Sequence, residues 1–336
     1  MLRNAMIGIM VALAGIGAAR AESIASDQPP VATLADGRTG KIAFEALTPD
    51  NARALVQKTV TRKSVITGLL TLPAGAHGAV PAMVIVHGSG GVTRGEWDWA
   101  SRMNGLGIAS FVIDNFTGRG IQNTEIDQIA LSPVADIAGA LTALRLLATH
   151  PGIDPKRIGV IGFSRGGIVA LDTALEPFRR AVIDGDLRFA AHVPFYPSCD
   201  VNYVSARLDG APILMLLGGK DNYTPAAPCL VYADELRDKG ARVSVRVYPD
   251  AYHAFDRDNP LEFYAKNLTA RNCQGRIDLD VGAFTMQKGN LTLTGSDASA
   301  ELRRCFTTGV NMGGDPEGRE KSPAEVAAFL KSALGL

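Results

Sequence analysis

The sequence predicts a doubly wound α/β protein, a mostly parallel sheet with helices on both faces. Two observations carry that expectation. From Pro81 onward, short apolar runs alternate with stretches of helical character, the rhythm of successive strand–helix units. Most of those runs, such as Ala82-Met83-Val84-Ile85-Val86, are apolar throughout and do not alternate, as befits strands buried on both faces of a parallel sheet. Composition agrees. Of 336 residues, 46% are apolar and 20% charged, too apolar for a disordered chain.

The first twenty-one residues read as an address and not as part of the fold. Arg3 and the α-amino group precede an uncharged stretch from Ala5 to Ala19, and Ala19 and Ala21 stand at −3 and −1 of a cut before Glu22. That is the secretory signal pattern. The uncharged stretch is short of the roughly 20 residues that span a bilayer, which argues against an anchor. The expectation is export to the periplasm or the extracellular space, with no membrane attachment after cleavage. Residues 22–40, with Pro29-Pro30, read as a loose leader before one domain over 41–336.

Within that domain the predicted strands are 41–47, 63–72, 82–86, 108–113, 157–163, 189–195, 212–217 and 243–247. The last alternates and so belongs near an edge. Helices are predicted at 97–106, 133–149, 166–175, 225–239 and 323–334. Between about 266 and 306 the helical pattern gives way to Gly- and Asn-punctuated runs such as Leu291-Thr292-Leu293-Thr294, a small hairpin insertion before the final helix.

Charge and cysteine usage narrow the partners. The chain balances 34 basic against 34 acidic residues and has 6% aromatics, so it carries neither the basic footprint nor the stacking platforms of a nucleic-acid binder. The four cysteines, Cys199, Cys229, Cys273 and Cys305, are an even number in an oxidising compartment, with three pairings open. Two of them could instead remain buried thiols. Cys273 and Cys305 bracket the insertion, which favours pairing them, and closing a loop of about thirty residues stabilises by roughly 3 kcal/mol. No C-x-x-C occurs and no histidine lies at ligand spacing from a cysteine, so no metal is expected.

The chemistry centres on Gly162-Phe163-Ser164-Arg165-Gly166, which follows the apolar run Ile158-Gly159-Val160-Ile161 and leads into Ile168-Val169-Ala170-Leu171. Strand, G-x-S-x-G, helix is the context of a nucleophile elbow, where a tight turn lifts the serine hydroxyl above the sheet. A serine needs a base, and the base an orienting carboxylate, in the chain order Ser, acid, His. Of five histidines, only His253 follows a late core strand on a loop. His192 falls inside an apolar run and reads as a core residue. Asp221 lies at a strand end just before a helix. Thr224 before Pro225 reads as the cap of that helix, leaving Asp221 free to orient His253.

Two backbone N–H groups are expected to receive the oxyanion: that of Arg165, after the nucleophile, and that of Ser89 in His87-Gly88-Ser89-Gly90-Gly91, where glycines permit close approach. Thr93 stands where a dinucleotide fingerprint wants its third glycine, so no nucleotide cofactor is expected there, and the chemistry requires no other cofactor.

With these residues in view, the chain from about 41 to 264 resembles the dienelactone hydrolase family of α/β-hydrolases. The resemblance rests on Val84–Gly91, Asp114-Asn115-Phe116-Thr117-Gly118-Arg119-Gly120, Gly162–Gly167, Gly219–Pro225 and Tyr248–Phe255. It implies the α/β-hydrolase fold and a triad at Ser164, Asp221 and His253. It also implies a link between Cys199 and Cys229, and places Arg119 near the site, either binding a substrate carboxylate or pinning its loop. The archetype uses a cysteine nucleophile where this chain has Ser164, and the 266–306 insertion lies outside it. The reading is a secreted serine hydrolase of a small carboxylic ester or lactone. A peptidase or amidase on the same triad, and an exported binding protein without activity, are the competing readings.

Overall fold

The computed structural model describes residues 23–25 and 28–336. The signal segment expected at 1–21 lies outside the described residues. β1 (Gly40–Leu47) and β2 (Lys63–Thr71) pair antiparallel, with the short helix α1 (Ala52–Val56) between them. β2 pairs antiparallel with β4 (Ala109–Asp114), which pairs parallel with β3 (Val80–Val86). From β3 the sheet continues in parallel through β5 (Ile153–Phe163), β6 (His192–Phe195), β8 (Ile213–Gly218) and the edge strand β9 (Val243–Tyr248). The result is one eight-stranded, mostly parallel sheet in the order β1-β2-β4-β3-β5-β6-β8-β9.

The side chains of β3 explain its unbroken apolar run. Val84 and Val86 pack with Leu141 and Leu144 of α3 (Pro133–Leu147) and Phe178 of α5 (Glu176–Val182). Met83 and Ile85 point the other way, to Trp99 and Met103 of α2 (Arg94–Gly105) and Val326 and Leu330 of α8 (Pro316–Leu334). A strand covered by helices on both faces has no side left for polar residues. At the far end α6 (Ala226–Asp238) covers β8, and Tyr232 and Leu236 pack on Met215 and Leu217. The chain goes from β3 to β4 on one side and later to β5 on the other, so the crevice between β3 and β5 opens at their C-terminal ends. Open α/β sheets place ligands at such a switch point.

Both favoured disulfides form, Cys199–Cys229 and Cys273–Cys305. The insertion is larger and more ordered than the hairpin expected at 266–306. β10 (Glu262–Thr269) pairs antiparallel with β14 (Thr307–Met312), while β11 (Gly275–Asp278), β12 (Ala283–Lys288) and β13 (Leu291–Thr294) form a meander. β11 also pairs in parallel with β7 (Val201–Val204), so the insertion is stitched to the core. It contains a helix the sequence did not suggest, α7 (Gly295–Cys305), which buries only Ala298 and Cys305 and so leaves a faint apolar stripe.

Two further expectations change. The final helix starts at Pro316, not Pro323. Asp315 accepts from the Gly318 N–H at 2.9 Å as its cap, and Pro323 lies inside the helix. Ser322-Pro323 imitates the same start signal, and packing of Val326, Leu330 and Leu334 holds the helix through it.

The leader is not loose where it is described. Ile24 and Leu34 are buried, Val31 N–H donates to Ala43 C=O at 2.8 Å, and Leu34 N–H donates to Thr149 Oγ1 at 2.7 Å. Its few apolar residues fill core gaps too widely spaced to register as an element. Leu34→Ala should therefore lower the unfolding free energy by about 2–4 kcal/mol, as core truncations do. Urea denaturation checks this, and a change below about 0.5 kcal/mol, the scale of a surface substitution, would mean that the leader is peripheral to stability.

Candidate active site

β5 ends at Phe163 and runs through Ser164 into α4 (Arg165–Asp172) with no intervening loop. Ser164 has φ 55° and ψ −113°, a left-handed conformation that a non-glycine residue holds only under constraint. The constraint is backbone against backbone. A Cβ on Gly162 would lie 1.9 Å from Gly166 O, one on Gly166 2.2 Å from Val86 O, and one on Gly167 2.4 Å from Phe195 O. Only glycine fits these positions.

His253 follows β9 and reaches the elbow. Its Nε2 lies 2.9 Å from Ser164 Oγ and its Nδ1 2.8 Å from Asp221 Oδ2. A carboxylate at Nδ1 places the ring proton there and leaves Nε2 free to accept from the serine. The imidazole is 3% exposed, with ring centres of Tyr196 and Tyr223 at 4.6 and 4.7 Å. Asp221 is fixed by its own turn, since Oδ1 accepts from the Tyr223 and Thr224 N–H groups at 2.8 and 2.9 Å.

Thr224 is not the helix cap its sequence position suggested. Pro225 occupies the cap position, and the Thr224 hydroxyl lies 3.0 Å from each of Asp221 Oδ2, His253 Nδ1 and Tyr196 O. It faces the acid–base contact and can share the Nδ1 proton while donating its own. His192, read as a core residue, is fully buried between Asp209 and Ala170 O.

The loop after β3 lies on the elbow. A Cβ on Gly88 would stand 3.2 Å from Phe163 O and 3.5 Å from Ser164 Cβ. His87 orders it, with Nδ1 donating to Gly88 O at 2.8 Å and Nε2 accepting from the Asn115 N–H at 3.1 Å. Arg165 opens α4, so its backbone N–H belongs to the first turn, whose N–H groups have no intrahelical partner. Its buried guanidinium bonds Asp136 at 2.6 Å, Gln128 O at 3.2 Å and Leu131 O, which fixes the loop preceding α3. Ser89 Oγ donates to Gln128 Oε1 at 3.0 Å in that same loop.

Arg119 is bonded to backbone and side-chain oxygens around its own loop. It donates to Asn115 O, Leu47 O and Ala135 O at 2.8–3.2 Å and to Thr48 Oγ1 at 3.2 Å. It is not among the described residues lining the cleft.

The cleft above Ser164 has a volume of about 1740 Å³ and is walled by several segments, including the insertion through Glu262, Tyr264 and Met312. The insertion also clamps the loops carrying acid and base. Arg271 donates to Asn222 O and to Gly309 O, each at 2.7 Å, Asn222 and Asn311 exchange two bonds, and Gly313 N–H donates to His253 O at 2.8 Å.

Beneath the cleft lies a buried network the sequence did not reveal. Asp256 accepts from Tyr196 Oη at 2.6 Å and Trp99 Nε1 at 2.8 Å, and Arg257 bridges Asp256 to Glu96. Burial alone would raise the Glu96 carboxyl, but Arg257 and Thr93 outweigh it and hold it below its ordinary value. Burial and then the Asp256 charge push the Tyr196 phenol well up. The one sequence hint was an Asp-Arg pair just after His253. Among the described residues, no group of three His, Cys, Asp or Glu could hold a metal ion.

Residues 66–279 match the dienelactone hydrolase family. The chain belongs to that family. This dienelactone hydrolase family member is a hydrolase of ester or lactone substrates. A protein of Salmonella typhimurium named carboxymethylenebutenolidase is 26% identical over 202 residues, covering 55% of this chain and 72% of that protein. Among solved structures, Thermogutta terrifontis esterase 2 superposes with a TM-score of 0.53 at 15% identity, covering 81% of this chain and 90% of that one. A dienelactone hydrolase-like promiscuous phosphotriesterase from metagenomic libraries gives 0.52 at 17% identity, covering 88% and 99%. These two likenesses speak to the α/β-hydrolase fold.

Asp200, beside Cys199, supplies a pH test of the site's surroundings. Burial, with the nearby Asp221 charge adding, pushes its carboxyl up to about 7, against hydrogen bonds from Ser198 at 3.0 Å and from its own backbone N–H. A pKa raised on folding contributes stability that is complete below the unfolded value and is lost as pH rises through about 7. Asp200→Asn should therefore match the wild type near pH 4 and exceed it by about 2–4 kcal/mol at pH 8. Equal unfolding midpoints at pH 8 would show that the ionised Asp200 carries no burial penalty.

Proposed function

We propose that this protein is an exported serine hydrolase that cleaves a carboxylic ester or lactone through an acyl-enzyme on Ser164. The observation that carries this reading is His253, bonded at 2.9 Å to Ser164 Oγ and at 2.8 Å to Asp221. Ser164 Oγ attacks the ester carbonyl as His253 Nε2 takes its proton, and the carbonyl electron pair moves to oxygen. The Ser89 and Arg165 backbone N–H groups receive that oxyanion. As the intermediate collapses, the C–O bond to the alcohol breaks and His253 returns the proton to the leaving oxygen. Water, deprotonated by His253, then releases the acid and restores Ser164. Asp221 holds the imidazole in the required tautomer and stabilises its protonated form, with the Thr224 hydroxyl alongside.

Serine in place of the archetypal cysteine fits this geometry. A hydroxyl depends wholly on its base for activation, whereas a thiol can rest as the thiolate. Export is supported by the signal pattern of residues 1–21 and by two disulfides, which persist in oxidising compartments.

A fluorophosphonate probe should label the purified protein once, on Ser164, and Ser164→Ala should not be labelled. Folded wild-type protein that resists the probe would sink the serine-hydrolase reading. Asp221→Asn should lower kcat on a p-nitrophenyl ester by about 10⁴-fold, the loss seen when such an acid is neutralised. Thr224→Val, which keeps the shape and deletes the hydroxyl, should lower kcat by about fivefold to tenfold. Unchanged kcat would reduce Thr224 to a packing role.

A further inference from the structure

One wall of the cleft carries a carboxyl that the protein leaves unbalanced. Glu125 lines the cleft together with Tyr223, Glu262 and Tyr264. Its backbone is held from two sides: Leu268 N–H of the insertion donates to Glu125 C=O at 2.8 Å, and the adjacent Thr124 N–H donates to Ser89 C=O at 2.8 Å. Its carboxyl lies against the oxyanion loop, with Oε1 3.5 Å from where a Cβ on Gly90 would be. Among the described residues, no donor or cation pairs with that carboxyl, and burial is the one cause pushing it above its ordinary value.

Two tyrosines line the same cleft. Burial first, and then the Glu125 charge, hold the Tyr223 phenol above its ordinary value, and burial, Glu262 and Glu125 do the same to Tyr264. An unpaired carboxylate in a cleft also lined by tyrosines suits an organic cation, through charge and through ring contact.

The rest of the cleft repels the opposite charge. With Glu125 included, the lining holds eight Asp or Glu against four Arg and no Lys, so a carboxylate-bearing substrate enters an acidic field. Of those four, Arg257 is tied to Glu96 and Asp256 and Arg94 pairs with Asp98 and Asp258, whereas Arg102 stands 5.7 Å over the Trp99 ring and, among the described residues, neither it nor Arg319 has a carboxylate partner.

We propose that Glu125, with the rings of Tyr223 and Tyr264, selects esters or lactones that carry an ammonium group and disfavours those that carry a carboxylate. The proposal rests on the serine-hydrolase reading and deepens it to a substrate class. An unpaired carboxylate in a half-buried site has lost part of its hydration. A substrate cation replaces what was lost, whereas a substrate anion adds repulsion.

Three p-nitrophenyl esters of similar size test it: 4-(trimethylammonio)butanoate, its uncharged isostere 5,5-dimethylhexanoate, and monoadipate. In the wild type, kcat/KM should fall in that order. Glu125→Gln should reduce the ammonium-to-neutral ratio by about tenfold, the scale of a partly buried charge pair. Glu125→Lys should invert the order of the two charged esters. Fluorophosphonate labelling of Ser164 in each variant reports the reactive centre independently of substrate charge. Protein that labels and turns over esters, but has the same ratio in wild type and Glu125→Gln, overturns the selectivity and leaves the hydrolase reading standing. Wild-type protein that neither labels nor turns over any of the three esters overturns the hydrolase reading itself.

Discussion

The site depends on one constraint, the contact of bare backbone with bare backbone around Ser164. β5 and α4 meet so tightly that Gly162 faces Gly166 O, Gly166 faces Val86 O and Gly167 faces Phe195 O, with no room for a side chain. Those contacts keep Ser164 at φ 55° and prevent the turn from relaxing into an ordinary loop. They also bring the end of β3 under the nucleophile, which is how the His87–Gly91 loop comes to lie beside Ser164. The strain is local, but the parallel sheet that resists it is global.

Around this fixed point the insertion acts as a clamp and a wall. Its strands β10 and β14 contribute Glu262, Tyr264 and Met312 to the cleft, and Arg271, Asn311 and Gly313 bond the loops that carry Asp221 and His253. The disulfide Cys273–Cys305 closes the insertion on itself, and Cys199–Cys229 ties the loop before β7 to α6 behind the acid. Asp221 and His253 thus take their positions from a segment far along the chain from Ser164.

Legibility in the sequence followed how local each signal was. The meeting of Ser164, Asp221 and His253 could be anticipated because each follows a core strand in chain order, and parallel strands such as β3, β4 and β8 could be read because burial on both faces writes continuous apolar runs, while β9 alternates at the edge. Thr224 misled because a hydroxyl before proline looks the same whether it caps its own helix or faces a histidine 29 residues away. Arg257 was invisible because its partner Glu96 is 161 residues distant. The leader and α7 escaped because each buries too few side chains to set a period, and Pro323 drew attention from the true cap at Asp315.

The clamp has a consequence for the time order of folding. A chain emerging with its N-terminus first completes β5 and the elbow at residue 164, yet the bond that fixes the His253 carbonyl comes from Gly313, 149 residues later. The nascent chain therefore carries Ser164 long before it carries a restrained His253. Both cysteine pairs likewise lie beyond the elbow in the chain, so the restraints they set are also added after Ser164 is in place.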